Sequence, residues 1–284
     1  MPQDRDRHQQ ESFGPHRPLT VRPYDHANKA GNQGDVVKHP ALVAALRGLL
    51  AEQSGMFRYA DTFAGRWDYD LSRSGGWRQG IGVLASAWRG RNPDIQFWRN
   101  QWSVDPITRY PGSTKLAKRI LSNHGDHEIR AFEIMGDYAA DLRGGLSKDA
   151  VFSRSANTAD WANWKPDLLF IDPPGPSSGE NPGYPSLCTL LSSAASIENV
   201  LMWLPMTADT GTSGSAALLD SGTVLTLAEC ARSGLRVLAV RWDNRGPFCG
   251  CLLAYRFASG AVFTRVGAAV REVVSTMGGV WRVL

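Results

Sequence analysis

Five short apolar stretches limit what this chain can fold into. FRYAD (57–61), EIRAFEI (128–134), AVFSR (150–154), DLLFIDPP (167–174) and NVLMWLP (199–205) have strand length and are separated by segments of helical spacing. Strands that alternate with helices belong to a largely parallel sheet covered on both faces. Two later stretches, LRVLAVRW (235–242) and CGCLLAYRF (249–257), are joined only by DNRGPF, and so short a connection predicts antiparallel pairing at one edge. A helix over AVFTRVGAAVREVVSTM is expected to close the chain, and no internal repeat is present. The predicted class is α/β.

The first helix is expected over 36–52, where VVKHPALVAALRGLLAE repeats apolar residues at three- and four-residue spacing, with Asp35 as N-cap and Pro40 near the first turn. The segment from about 71 to 121 departs from the strand–helix alternation. It carries Trp77, Trp88, Trp98 and Trp102 and has a helical pattern over WRQGIGVLASAWRG, so it is expected as a helical insertion subdomain in a domain spanning 23–284. Its tryptophans are expected to pack a core, with an RNA platform as the alternative.

Composition excludes several classes. With 284 residues and 43% hydrophobic side chains the chain can bury a sizeable core. Mean hydropathy is −0.27 and no apolar run reaches about 18 residues, so no membrane span is expected. Residues 1–22 are polar and Pro-containing, which predicts a flexible tail; the opening MPQDRDRHQQESFG has no apolar core of a secretory signal, so a cytoplasmic location is expected. Four cysteines without a CxxC pair indicate neither a disulfide framework nor a zinc ribbon. The histidines are scattered, and His124 and His127 read as a solvated loop, so no metal is expected. A net charge of +4 is compatible with a polyanionic partner without requiring one.

Ligands of open α/β sheets bind outside the carboxyl ends of the strands. There the chain places Asp61-Thr62-Phe63-Ala64-Gly65, Glu133 and Asp172-Pro173-Pro174. Gly65 permits close backbone approach in the first loop, though an acidic residue before a small turn is also a common structural feature. A carboxylate at Glu133 is placed to accept both hydroxyls of a ribose. The two prolines after Asp172 fix φ and remove two N–H donors, leaving carbonyls free to accept. A carboxylate beside such a carbonyl suits an amino group, holding both hydrogens while the nitrogen lone pair points at an incoming methyl. A helix-capping Asp is the plainer alternative.

Asp172-Pro173-Pro174 resembles the signature of amino-methyltransferases. Tyr24, His26, Ala30-Gly31-Asn32, Asp35-Val36 and Lys38-His39, then Tyr59-Ala60-Asp61-Thr62, Ala64-Gly65 and Tyr110-Pro111-Gly112-Ser113, resemble in order and spacing the RlmJ family of bacterial 23S ribosomal RNA adenine-N6 methyltransferases. Trp203-Leu204-Pro205 and Gly246 to Gly250 fall where that family has further signatures, so the resemblance runs from Tyr24 to about residue 260. It implies a class I Rossmann-like sheet and S-adenosylmethionine (SAM) as cofactor. Lys38, His39 and Ser113 would reach the amino-acid end of SAM, with Asp61, Phe63 and Gly65 in the first-strand loop. Glu133 would hold the ribose, and Asn157 and Thr158 the adenine. Asp172 and Pro173 would be catalytic, Asp172 also contacting the cofactor, with Tyr24 and Lys29 near the substrate.

Departures from the family concentrate on the substrate side. Gly175 stands where an aromatic residue follows DPP and stacks on the target base, a contact worth about 1–3 kcal/mol. Phe63 and Lys29 replace histidines, Trp67 replaces a loop glycine and Leu204 replaces a tyrosine. Tyr184, in the stretch after Asp172, is a candidate substitute aromatic. The implied activity is methyl transfer to an adenine N6 in 23S rRNA. The alternatives are a divergent N-methyltransferase of a small metabolite or peptide, and a non-catalytic SAM- or RNA-binding module.

Overall fold

The computed structural model describes residues 26–73, 75–102, 106–147, 150–174, 187–207, 228–242 and 248–284. The strands in chain order are β1 (Phe57–Asp61), β2 (Asp68–Asp70), β3 (Arg109–Pro111), β4 (His127–Phe132), β5 (Val151–Phe152), β6 (Leu168–Ile171), β7 (Val200–Thr207), β8 (Arg236–Arg241), β9 (Phe248–Arg256) and β10 (Val280–Val283). Eight of them form one sheet in the order β10-β8-β9-β7-β6-β1-β4-β5, and β2 pairs with β3 in a separate ribbon. The pairs β5–β4, β4–β1, β1–β6 and β6–β7 are parallel. Strand β9 runs antiparallel to both β7 and β8, and β10 antiparallel to β8. The result is a mixed sheet, mostly parallel with an antiparallel edge, the Rossmann-like class I SAM-methyltransferase arrangement. After β5 the chain crosses back over β1 to form β6. The switch point of the sheet therefore lies between β1 and β6.

Helix α1 (Gln33–Glu52) begins earlier than its apolar spacing indicates. Its cap is Asn32, whose side chain accepts from the Asp35 N–H, so Asp35 lies inside the first turn and is not the N-cap. Pro40 consequently sits inside the helix, at the cost of one backbone hydrogen bond. Every residue from Gly34 to Leu46 is buried. A helix buried on all sides is a central element and not a surface one. Each fully buried Leu or Val there contributes about 1.5–3 kcal/mol.

Between β1 and β4 lie the helices α2 (Ile81–Ala87), α3 (Pro93–Arg99) and α4 (Ser113–Leu121). The β2–β3 ribbon frames the first two, while α4 follows the ribbon and leads into β4. Neither ribbon strand was expected, because three residues are too few to show alternation. Trp88, Trp98 and Trp102 are buried, and Trp98 meets Trp102 and Tyr110 edge-on at 5.7 and 6.5 Å. These three are packing residues; Trp77 is half-buried. Beyond β4 lie α5 (Gly136–Gly145), α6 (Leu187–Ser193) and α7 (Gly260–Thr276), with a further helical stretch described over 228–232. The chain does not close on α7: strand β10 follows it, exposed throughout and therefore without an apolar pattern to announce it. Among the described residues no helix is long and apolar enough to cross a membrane.

Asn92 and Pro93 start α3, the Asn side chain accepting from the N–H groups of Asp94 and Ile95. Asp94 is buried and joins three helices. It accepts from Arg47 of α1 at 2.8 Å and from two guanidinium nitrogens of Arg265 of α7 at 2.7 Å. Two charged donors held by one buried carboxylate tie the insertion to the two helices beneath it. Asp94→Ala is expected to lower unfolding free energy by about 2–3 kcal/mol, measured by urea denaturation; a change below about 0.5 kcal/mol would show the triad to be incidental.

Candidate active site

Three carboxylates stand at or just beyond the carboxyl ends of adjacent parallel strands: Asp61 on β1, Glu133 after β4 and Asp172 after β6. Each is held by a different kind of partner.

The Asp61 side chain is buried and turned toward the start of α4. It accepts from Ser113 Oγ at 2.7 Å, Thr114 Oγ1 at 3.0 Å and Tyr59 OH at 3.2 Å. Burial, reinforced by the charge of Asp172, pushes its carboxyl up to about 6 against the pull of the Ser113 and Thr114 hydroxyls. The YPGS stretch explains itself here. The Gly112 N–H donates to Trp67 O at 3.0 Å, and a Cβ on Gly112 would stand 2.0 Å from the carbonyl oxygen of Arg66. Only glycine lets the ribbon approach closely enough to deliver Ser113 and Thr114 to Asp61.

Glu133 is held by the backbone. Oε2 accepts from Gly65 N at 2.9 Å and Oε1 from Met135 N at 2.7 Å. Burial raises its carboxyl to about 7 in spite of those bonds. Gly65 has φ of +65°, a left-handed conformation that suits glycine, and this aims its N–H at the carboxylate. Glu133 also lines a small, open cleft with Thr62, Phe63, Phe132, Ile134, Arg154 and Ser155. Its walls are mostly apolar, with one carboxylate and a few polar groups at the rim. Arg154 and Ser155 carried no motif and were missed; they lie just before Asn157 and Thr158 in the same connection. Thr158 is exposed and bonds Ser155 O, while of Asn157 only its place in a short helical turn is described.

Asp172 is bound to α1. Lys38 Nζ lies 2.7 Å from Asp172 Oδ2 and 2.8 Å from Asp35 Oδ1, and 4.9 Å from the centre of the Trp203 ring. Asp35 Oδ2 in turn meets His26 Nε2 at 3.1 Å and the Gly31 N–H at 2.6 Å. A continuous polar chain, His26–Asp35–Lys38–Asp172, thus runs from the turn before α1 to the end of β6. Burial acts against charge on Asp35, yet Lys38 and His26 hold its carboxyl well below the ordinary value. For Lys38 the two carboxylates overcome burial and raise its value. For Asp172 burial prevails over Lys38, leaving the carboxyl above the ordinary range. The sequence marked Lys38 and Asp172 separately. The clue to their meeting was a charged pair at i, i+3 on an otherwise apolar helix.

The remaining marked residues are placed as follows. His39 is buried, stacked on Tyr110 at 5.3 Å with Nδ1 2.5 Å from its hydroxyl, and burial lowers its value to about 3, so the ring is neutral. Phe63 lines the same cleft as Glu133, Pro173 is buried, and Lys29 is exposed in the turn before α1. Leu204 is buried in the core. Tyr24, Gly175 and Tyr184 lie outside the described residues.

No protein-family model matches the chain. Ribosomal RNA large subunit methyltransferase J of Haemophilus influenzae is 32% identical over 124 residues, which make up 42% of this chain and 37% of that protein. The match thus spans little more than a third of that relative's length. The solved structure of protein LPL1258 from Legionella pneumophila matches 90% of this chain and 97% of its own, with a TM-score of 0.71 at 15% identity; the two share a fold. Over that 124-residue stretch the chain is distantly similar to an RlmJ-type methyltransferase, and its sheet has the Rossmann-like arrangement.

Proposed function

We propose that this chain is a SAM-dependent N-methyltransferase and that its acceptor is the exocyclic N6 of an adenine in large-subunit ribosomal RNA. The observation that carries the reading is the Lys38–Asp172 pair at the switch point of the sheet, with Glu133 at the end of the neighbouring strand β4 on the other side of β1. The distant homology to RlmJ-type enzymes supports the same reaction class and favours RNA as acceptor.

SAM, when bound, supplies an electrophilic methyl group on its sulfonium sulfur. Glu133 would accept the ribose hydroxyls, and Phe63, Phe132 and Ile134 would enclose the adenine. Ser113 and His39 are proposed near the amino-acid end, acting through Asp61 and Tyr110, to which the structure bonds them. Lys38 has a different task in this reading from direct cofactor contact. Its ammonium occupies Asp172 Oδ2 and leaves Oδ1 to accept one hydrogen of the acceptor amino group, with the Pro173 carbonyl accepting the other. Holding both hydrogens aligns the nitrogen lone pair for in-line attack, and orientation of this kind is the main catalytic resource. Gly175, in place of a stacking aromatic, is the observation that favours a second reading, methylation of a metabolite or peptide nitrogen.

Labelled methyl from SAM is expected in deproteinised 23S rRNA, recovered as N6-methyladenosine. Label only in a parallel metabolite and peptide extract would overturn the RNA acceptor and leave the methyltransferase reading intact. Asp172→Asn is expected to lower kcat by at least about a hundredfold while SAM affinity, measured by calorimetry, stays within about threefold.

The pH profile tests the lysine. Asp172 accepts hydrogen only when ionised, and its value is raised, so activity is lost as pH falls through a point above the ordinary carboxylate range. Removing Lys38 removes the charge that favours the ionised form. In Lys38→Met the acidic limb of kcat/KM is therefore expected to move upward by about one pH unit or more. An unmoved limb with lower activity would make Lys38 a purely structural residue.

A further inference from the structure

The sheet and the insertion differ in charge. Between Leu71 and Leu121 the chain carries nine Lys and Arg against two Asp, a net of +7, whereas the whole chain is only +4. The rest of the molecule is thus net negative. Such an asymmetry is the electrostatic footprint of a polyanion-binding surface. Of the two acids, Asp94 is buried and turned inward onto Arg47 and Arg265, so it does not offset the surface cations. Asp105 lies outside the described residues.

Arg109 and Lys115 pair with Asp68, just before the segment, at 3.1 and 2.7 Å, whereas other arginines of the segment are held in ways that keep their charge available. Arg89 donates to Trp88 O at 2.9 Å, Arg99 to Ala85 O at 3.0 Å, and Arg119 to Gln101 O and Oε1 at 3.1 and 2.9 Å. Arg99 lies over the Trp88 ring at 5.6 Å, and Arg78 over Trp77 at 5.3 Å. Carbonyl oxygens and ring faces fix a guanidinium without neutralising it, which leaves a planar fork with free donors. That geometry matches a phosphate. Arg78, Arg89, Arg91 and Arg119 are exposed.

The segment is bolted to the site. The Ile81 N–H donates to Gly31 O at 2.9 Å, and the Gly31 N–H donates to Asp35, the carboxylate that holds Lys38. A Cβ on Gly80 would stand 2.1 Å from Gly31 O, so the two backbones are in direct contact.

We propose that the exposed arginines of the 71–121 segment form a docking surface for the sugar–phosphate backbone of the acceptor RNA, apart from the pocket that takes the reacting base. This rests on the RNA reading given above. The test is filter binding of deproteinised 23S rRNA by the full chain between about 50 and 200 mM KCl. Arg89→Gln/Arg91→Gln/Arg119→Gln changes only exposed side chains. It is expected to weaken binding at least about tenfold and to reduce the slope of log K against log salt by about two to three, leaving SAM affinity unchanged. A control with equal charge removed from the other end of the sheet, Arg232→Gln/Arg241→Gln/Arg282→Gln, is expected to bind like the wild type.

Equal losses in both triples, or none in the first while the wild type binds and methylates RNA, would overturn the surface and leave the acceptor assignment standing. Equal binding of polyglutamate and RNA by the wild type would also overturn it, as general charge attraction. A wild type that neither binds nor methylates RNA would remove surface and acceptor together.

Discussion

An ammonium almost wholly removed from water is the constraint around which the rest is arranged. Lys38 belongs to a helix buried on every side, and its charge survives there only because two carboxylates meet it at hydrogen-bond distance. One comes from its own helix and the other from the loop after β6. The pair therefore fixes more than a local contact. It sets the distance between α1 and the end of the sheet, and it settles which side of Asp172 faces the protein. Loss of either partner would leave an uncompensated charge in a low-dielectric interior, so the helix, the strand end and the turn carrying His26 are specified together.

The three strand-end acids share a location but not an environment. Hydroxyls hold Asp61, main-chain N–H groups hold Glu133, and an ammonium holds Asp172. Burial favours the neutral form in each case, and the partners oppose it to different degrees. Groups of one chemical type are separated in this way into different tasks. Asp61 ties the first strand to α4, Glu133 ties the first loop to the β4 end, and Asp172 ties the β6 end to α1 through Lys38.

Much of this was legible before any coordinates. The alternation of apolar strands and helices gave the mixed sheet, and the short link between the late strands gave its antiparallel edge. What escaped was what periodicity cannot carry. Strands of three residues, such as β2 and β3, hold too little pattern, and β10 has no buried face to mark it. Asp35 looked like a cap because a polar residue preceded an apolar run; Asn32, three residues earlier, takes that part through a side-chain bond that spacing does not reveal. In the site, single residues such as Glu133 and Asp172 stood out by position. Pairings across long separations, Lys38 with Asp172 or Gly65 with Glu133, arise only once the sheet is assembled. Arg154 and Ser155 stand at the end of the expected strand AVFSR and just beyond it, where no motif marks a site.

Glu133 illustrates what such assembly achieves. An ionised carboxylate offers about four acceptor directions, and backbone N–H groups take at least one on each oxygen here. What they leave open is aimed by bonds already made, so a vicinal diol would meet a template whose rotamer needs no selection. On the proposed reading, recognition of the ribose would cost little side-chain entropy, and discrimination would fall on the diol itself. A 2′-deoxy nucleoside would leave one oriented lone pair facing nothing.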